Sequence, residues 1–231
     1  MTAANSTSDA DTLDWERDGA RLFRGAALAE LPWLMDLVSG LPEARAGIRL
    51  HGLDGLDRLL TPGGAIGAIA GAVLDGTPRP VRAILFDKTL EANWSLGWHQ
   101  DRTICVARRI DTPGFGPWTV KAGLTHVAPP FALLARMVTL RVHLDDVGAD
   151  NAPLLIAPGS HHHGRIPEAG VAAVVEACGT ACCLAAAGDV WAYATPILHA
   201  SAAAKGGRRR RVLQVDFSGD ELPGALEWLG V

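Results

Sequence analysis

What most constrains this chain lies beyond Pro78, where short extended runs alternate with turns rich in glycine and proline. Val81–Phe86, Trp94–Asp101, Thr103–Arg109, Trp118–Lys121, Met137–Asp145, Leu154–Ala157, Cys182–Ala186, Asp189–Ala194 and Arg208–Phe217 read as extended. Met137–Asp145, MVTLRVHLD, alternates apolar and polar residues at the period of a strand. Many short strands with tight connections bury their apolar faces only by stacking two sheets or closing a barrel. The expected fold class is therefore mainly β with flanking helices, a jelly roll or a related double-sheet barrel.

The segment before Pro78 has a different character. Leu13 and Trp15 open a helical turn, and Ala20–Gly25 reads as a short strand. Ala26–Leu41 and Thr61–Asp75 read as helices, as does Pro167–Cys178 later in the chain. Residues 1–10 are small and polar and are expected to form a disordered leader. With no internal repeat and no linker, residues 11–231 are expected to be a single domain. Thr112–Pro117 and Gly123–Pro130 are too short to be linkers and are expected to loop over a cavity mouth.

Composition bounds the partners. Of 231 residues, 48% are hydrophobic, enough for a sizeable core, and the net charge of −4 gives no electrostatic grip on nucleic acid or anionic lipid. The most apolar stretch, residues 63–76, is too short and too rich in Gly and Ala to span a membrane. The N-terminus lacks the apolar core of a secretory signal, so Cys105, Cys178, Cys182 and Cys183 are expected as free thiols in a reducing cytoplasm. The last three sit in an Ala/Val-rich stretch without a second ligand pair at zinc-like spacing, which reads as small core residues.

The chemistry is carried by three signals. The first is Trp98-His99-Gln100-Asp101. Residues two apart on a strand share a face, so one segment offers an imidazole and a carboxylate to one ion. Alone this pair is common by accident. A returning strand could add His199, and two histidines with one carboxylate are the ligand set of non-haem iron(II) oxygenases, which leave positions open for a chelating co-substrate and oxygen.

The second signal is Arg208–Arg211, leading into the last strand. A chelating 2-oxoglutarate needs a fixed bidentate partner for its far carboxylate, a task for arginine. Strand alternation puts Arg208 and Arg210 on one face and Arg209 and Arg211 on the other, so half of the run is expected to be solvated. The plainer alternative for the whole run is a solvated basic edge.

The third signal is the segment Asn151–His161, NAPLLIAPGSH. Taken with W-H-Q-D at 98–101, L-D-D at 144–146, G-D at 188–189 and H-A-S at 199–201, it resembles the phytanoyl-CoA dioxygenase family of iron(II)/2-oxoglutarate oxygenases, in the family's order over roughly residues 81–217. The resemblance implies a cupin-like double-stranded β-helix with N-terminal helices and iron(II) on His99, Asp101 and His199. It implies that Arg210 anchors 2-oxoglutarate with help from Ser201, with Arg209 or Arg211 as alternatives if the loop Ala202–Gly207 shifts the register. The family often has Gly where this chain has Ala152, and Asn where it has Ala202–Ala204. Halogenating relatives lack the carboxylate that Asp101 provides, so the resemblance favours hydroxylation, or another two-electron oxidation, of a small molecule with O2 over halogenation, releasing succinate and CO2.

Other residues carry weaker expectations. Trp98, beside the metal strand, is a candidate substrate contact, although tryptophan is more often core. Lys88 is a candidate for an anionic group of substrate or co-substrate, against the plainer alternative of an exposed lysine. Arg141 is expected on a wet face unless its strand borders a cavity, where it would favour an acidic substrate. His161, His162 and His163 alternate faces and cannot share one ion; His161 belongs to a turn and the other two to the surface. His51, His126 and His143 are expected to be satisfied or exposed. The alternative function is a cupin-like metal-binding protein that does not use 2-oxoglutarate. Oligomeric state is not legible.

Overall fold

The computed structural model describes residues 7–8, 12–42, 47–205 and 207–231. Two sheets, antiparallel except where β1 joins β11, face one another, as the strand pattern predicted. Of the residues expected as a leader only Thr7 and Ser8 are described, as strand β1; the others lie outside the described residues.

The larger sheet contains β2 (Ala20–Phe23), β3 (Ile48–Leu50), β4 (Arg79–Lys88), β9 (Met137–His143), β12 (Val190–Ala194) and β14 (Arg210–Ser218), in the order β2-β12-β9-β14-β4-β3. The smaller sheet orders as β1-β11-β10-β13-β5, with β5 at Leu96–His99, β10 at Leu154–Ile156, β11 at Thr180–Cys183 and β13 at His199–Ser201. A third sheet, β6-β8-β7, is built from Ile104–Val106, Trp118–Lys121 as β7 and Leu124–Val127 as β8. The architecture is a jelly roll.

The two faces of the larger sheet explain the clean alternation of its strands. Val138, Leu140 and Val142 of β9, with Leu213, Val215 and Phe217 of β14, point outward into a core shared with helices α2 (Leu31–Ser39), α3 (Leu56–Leu60) and α4 (Ala65–Gly71). Thr139, Arg141 and His143 point the other way, yet all three are buried. The polar face of β9 meets the inside of the roll rather than solvent, so of the two settings left open for Arg141 the structure has the cavity face. One end of the space between the sheets is filled by Leu154, Ile156, Ala181, Cys183, Trp191 and Tyr193. The other end stays open.

Several expected boundaries move. Helix α2 begins at Leu31 rather than Ala26, because Ala27 gives its N–H to Gly188 O (2.9 Å) and Pro32 favours a first turn. At Gly188 (φ +88) a Cβ would come within 2.9 Å of Leu28, so glycine closes that junction. The helix expected over Thr61–Asp75 shrinks to α4 behind Pro62-Gly63-Gly64, and α3 and β3 were not foreseen. Gly123–Pro130 is no loop: Leu124–Val127 forms β8, turned back on β7 by Ala122 and Gly123, both at positive φ (50° and 79°). Positive φ at both central residues is the tight hairpin geometry, here without its usual Asn-Gly sequence signal.

Candidate metal centre

His99 ends β5 and His199 opens β13, directly opposite one another in register. Asp101 follows just past β5, and donor atoms from His99, Asp101 and His199 all lie within 4.8 Å of one another. Each histidine's Nδ1 faces a backbone carbonyl two residues back, Gly97 O at 2.8 Å and Ile197 O at 3.0 Å. A carbonyl only accepts, so Nδ1 carries the proton and Nε2 keeps its lone pair for a cation. Burial, only partly offset by Asp101, lowers the His199 pKa to about 4, so the ring is neutral at working pH. Burial opposes ionisation of Asp101, but Arg82 and the two histidines outweigh it and hold its pKa below the usual value. Two imidazoles and a carboxylate converging from adjacent segments fit an iron(II) ion.

Gln100 points away from these ligands and fixes them. Its Nε2 donates to Pro196 O (2.8 Å) and Gly164 O (3.0 Å), and its Oε1 accepts from Ile166 N (2.9 Å). It thereby ties the strand of His99 and Asp101 to the loop that delivers His199. Arg82 joins Asp101 (3.2 Å) to the buried Asp216, which also accepts from Thr139 (3.0 Å).

A cavity of about 580 Å³ opens beside the ligands and runs over the polar face of the larger sheet. The four-arginine run sorts itself around it. Arg208 pairs with Asp150, Arg209 with Asp87 through two bonds (3.0 and 2.7 Å), and Arg211 with Asp145 through two bonds (2.9 and 2.7 Å). Arg209 and Arg211 are thus tied to carboxylates, where solvation was expected. Arg210 alone turns inward, 2% exposed and lining the cavity, and no carboxylate among the described residues meets it. Its Nη1 donates to Ala152 O (2.6 Å), and its buried Nε has no partner. Burial, then Arg141, lowers its pKa to about 9.

Lys88 lies beside Arg210 across the β4–β14 ladder. It is 1% exposed, so the exposed-lysine alternative is ruled out. Its Nζ donates to Ala202 O (2.6 Å) and Ser201 Oγ (3.2 Å) and sits 4.9 Å from the Trp94 ring centroid. Burial, then Arg210 and Arg141, depresses its pKa to about 7. Ser201 donates to the same Ala152 carbonyl (3.2 Å) that receives Arg210. Ala152 stands at φ +52°, a left-handed conformation, which gives a physical reason for glycine being common there in the resembled family. Arg141 donates to Gln214 (3.0 Å) in the cavity floor, and its Nε too is buried without a partner.

Trp98 is not brought into this space. Alternation with His99 turns it to the other side, against Ala157, Ile166 and Leu198, and Trp94 lines the cavity instead. His161 packs under Gly19 in a 3-10 turn, while His162 and His163 are exposed. Contrary to expectation, His143 is buried with neither ring nitrogen partnered, and buried His126 is satisfied only at Nδ1, by Leu124 O (3.0 Å). The cysteines are free, and among the described residues they form no metal cluster. Arg49, Arg82, Lys121 and Gln214 line the cavity but drew no attention in the sequence. The phase of β4 could have signalled Arg82, since Arg82, Ile84, Phe86 and Lys88 share a face.

Fold and centre together define a class: a jelly roll with a site for two histidines and one carboxylate between its sheets. The chain belongs to the phytanoyl-CoA dioxygenase (PhyH) family, whose model matches residues 69–212. No curated protein matches it. Among solved structures it is similar to EctD from S. alaskensis with bound Fe, at 16% identity over 99% of this chain and 84% of that one, TM-score 0.65. It is similar to AviO1 from Streptomyces viridochromogenes Tue57, at 21% identity over 97% and 100% of the two chains, TM-score 0.58. It is also similar to HygX from Streptomyces hygroscopicus with nickel and 2-oxoglutarate bound, at 14% identity over 91% and 89%, TM-score 0.59. At such identities these structures establish the shared fold. Among the described residues no helix is long and apolar enough to cross a membrane.

Proposed function

We propose that the chain is an iron(II)- and 2-oxoglutarate-dependent dioxygenase that hydroxylates an unactivated C–H bond of a small molecule. His99, Asp101 and His199 hold the iron. The observation that carries the proposal is Arg210: a buried guanidinium with no acidic partner among the described residues, lining the same cavity as Lys88, Ser201 and the metal ligands. A buried cation without a counter-ion is costly, and a dicarboxylate chelated at the metal would supply one. The relatives solved with Fe, and with nickel and 2-oxoglutarate, point the same way. Bound iron(II) and 2-oxoglutarate supply the oxidising chemistry with O2, the co-substrate leaving as succinate and CO2.

The protein's own residues position and insulate. The Nε2 atoms of His99 and His199 and the ionised Asp101 bind the cation, and Arg82 orients the carboxylate. Arg210 and Ser201 receive the distal carboxylate of 2-oxoglutarate, with Lys88 adding charge. Tyr193 and the apolar fill behind it exclude water from the closed end of the roll. Hydrogen abstraction needs no side-chain acid or base, and none is assigned. A cupin-like metal protein without a keto-acid co-substrate would leave Arg210 and Lys88 without a counter-ion.

The test is anaerobic. Iron(II) followed by 2-oxoglutarate is expected to give a weak visible charge-transfer band that is lost in His199→Ala. A folded, iron-loaded protein with no band sinks the co-substrate assignment and leaves the metal-binding cupin.

A further inference from the structure

The cavity holds more positive charge than iron and 2-oxoglutarate can use. Seven basic side chains and a single carboxylate line it, in a chain whose net charge is −4. Iron(II) and 2-oxoglutarate carry equal and opposite charge, so loading both leaves that imbalance intact.

The basic residues divide into two groups. Lys88, Arg141 and Arg210 lie together: Lys88 and Arg210 are ladder partners, and Arg141 pairs with Gln214 one turn of the pleat away. This inner group is taken up by the co-substrate. Arg49, Arg82, Arg102 and Lys121 form the outer group. Two of these are already satisfied. Arg82 is held by Asp216 and Asp101, and Arg102 donates to Ile166 O at 2.6 Å.

Arg49 and Lys121 remain. Arg49 stands on edge strand β3 opposite Ile84, and Lys121 reaches the same cavity from β7. Neither forms an ion pair among the described residues, and Arg49 Nε is buried with no hydrogen-bond partner. Burial and then Arg82 lower the Arg49 pKa, and Cys105 offsets them only in part. The pKa of buried His126 is likewise lowered by burial, against its hydrogen bond to Leu124 O, and lowered further by Arg82, Arg49 and Lys121 together. Between the two basic groups the cavity is apolar, lined by Ile84, Phe86, Trp94 and Leu96.

We infer that the substrate is an acidic small molecule, whose apolar body lies over Ile84, Phe86 and Trp94 and whose carboxylate or phosphate group is bound by Arg49 and Lys121. This rests on the oxygenase reading for its chemistry, but the anion site stands on its own geometry. Arg49 offers the fork that suits an oxyanion, and Lys121 adds a mobile charge at the rim.

The experiment titrates hexanoate, hexyl phosphate and 1-hexanol calorimetrically into protein loaded anaerobically with iron(II) and saturating 2-oxoglutarate. The three probes share one apolar body and differ in the head group. At least one anion is expected to bind about tenfold or more tighter than the alcohol, and the better anion identifies the head group. Arg49→Gln is expected to abolish most of that preference. Lys121→Gln, at an exposed position, is expected to reduce it by about threefold. Both variants are expected to keep the charge-transfer band, which shows that they fold and load. Equal binding of alcohol and anions, absence of anion binding, or a preference that survives both substitutions overturns the inference. A wild-type protein with no band that still prefers the anions would instead overturn the oxygenase reading and leave the anion site standing.

Discussion

At the scale of single residues, the four consecutive arginines show how neighbours with the same chemistry come to differ. Arg209 and Arg211 face carboxylates, whereas Arg210 faces a cavity. Arg210→Ala is expected to weaken 2-oxoglutarate binding by about a hundredfold, the worth of two charge-assisted hydrogen bonds, while Arg209→Ala and Arg211→Ala leave it nearly unchanged. Loss of the charge-transfer titration in Arg211→Ala but not Arg210→Ala would reverse the assignment. Lys88 adds a pH dependence. Its pKa falls from 10.5 to about 7 on folding, so between those values the unfolded chain holds more protons and the apoprotein gains stability as pH rises. A dianion beside Lys88 restores its proton, so 2-oxoglutarate binding is expected to take up a proton above pH 7 and weaken as pH rises. Calorimetry in buffers of different ionisation enthalpy reads that uptake, which should vanish in Lys88→Met. The same substitution removes a buried charge, and a gain of about 1 kcal/mol would raise the apoprotein melting temperature by roughly 2–4 °C. Residue type and spacing in the sequence pointed to His99, Asp101 and His199, which the fold brings together, whereas only the family resemblance singled out Arg210 from its neighbours. The sequence left Lys88 and Arg141 open between solvent and cavity and misjudged His143, because a polar residue on an alternating strand looks the same whether its face meets water or a buried cavity.

At the scale of elements, what was legible followed from local pattern. Trp118–Lys121 and the alternating run from Met137 are strands where expected, and the turn at Gly159 (φ +78) follows β10 as its Pro-Gly-Ser sequence indicated. Strand β8 was hidden because its hairpin uses Ala122-Gly123, and β3 because its three residues carry too little pattern. Nor did any local pattern show that Gln100 clamps two elements. By its contacts it couples the strand of His99 to the loop before His199, and that pairing exists only once the sheet has formed. Gln100→Ala would leave the Ile166 N–H and two carbonyls without their partner, at a cost of about 2–4 kcal/mol. It is also expected to lower iron(II) affinity about tenfold or more, as losses of residues that orient metal ligands do. Chemical denaturation and anaerobic metal titration separate the two effects. Unaltered metal affinity at reduced stability would make Gln100 a structural staple alone.

At the scale of the whole molecule, the jelly roll divides its two kinds of burial between the faces of one sheet. The outer face packs aliphatic side chains against helices, and truncating Leu140 to Ala there is expected to cost about 2–5 kcal/mol irrespective of ligand. The inner face carries arginines and a lysine whose charges are met by few acids, so the empty cavity works against folding. Strand order was the part least open to sequence reading, since each partner of β14 lies far from it along the chain and only the finished roll brings Lys88, Arg141 and Arg210 together. Stability should therefore depend on what fills the cavity. Because the inner basic group is present without metal, 2-oxoglutarate is expected to stabilise the metal-free protein, and iron(II) to strengthen that effect by adding chelation. At a hundredfold excess over Kd, a ligand that binds only the folded chain adds about 2.7 kcal/mol. For a chain of this length that corresponds to roughly 5–10 °C in melting temperature. Thermal unfolding with and without 2-oxoglutarate, before and after adding iron(II), measures this directly. The shift should be absent in Arg210→Ala and unchanged in Leu140→Ala, which lowers the baseline alone. If 2-oxoglutarate shifts the metal-free protein and Arg210→Ala equally, the dicarboxylate binds elsewhere and the inner basic group is not its seat.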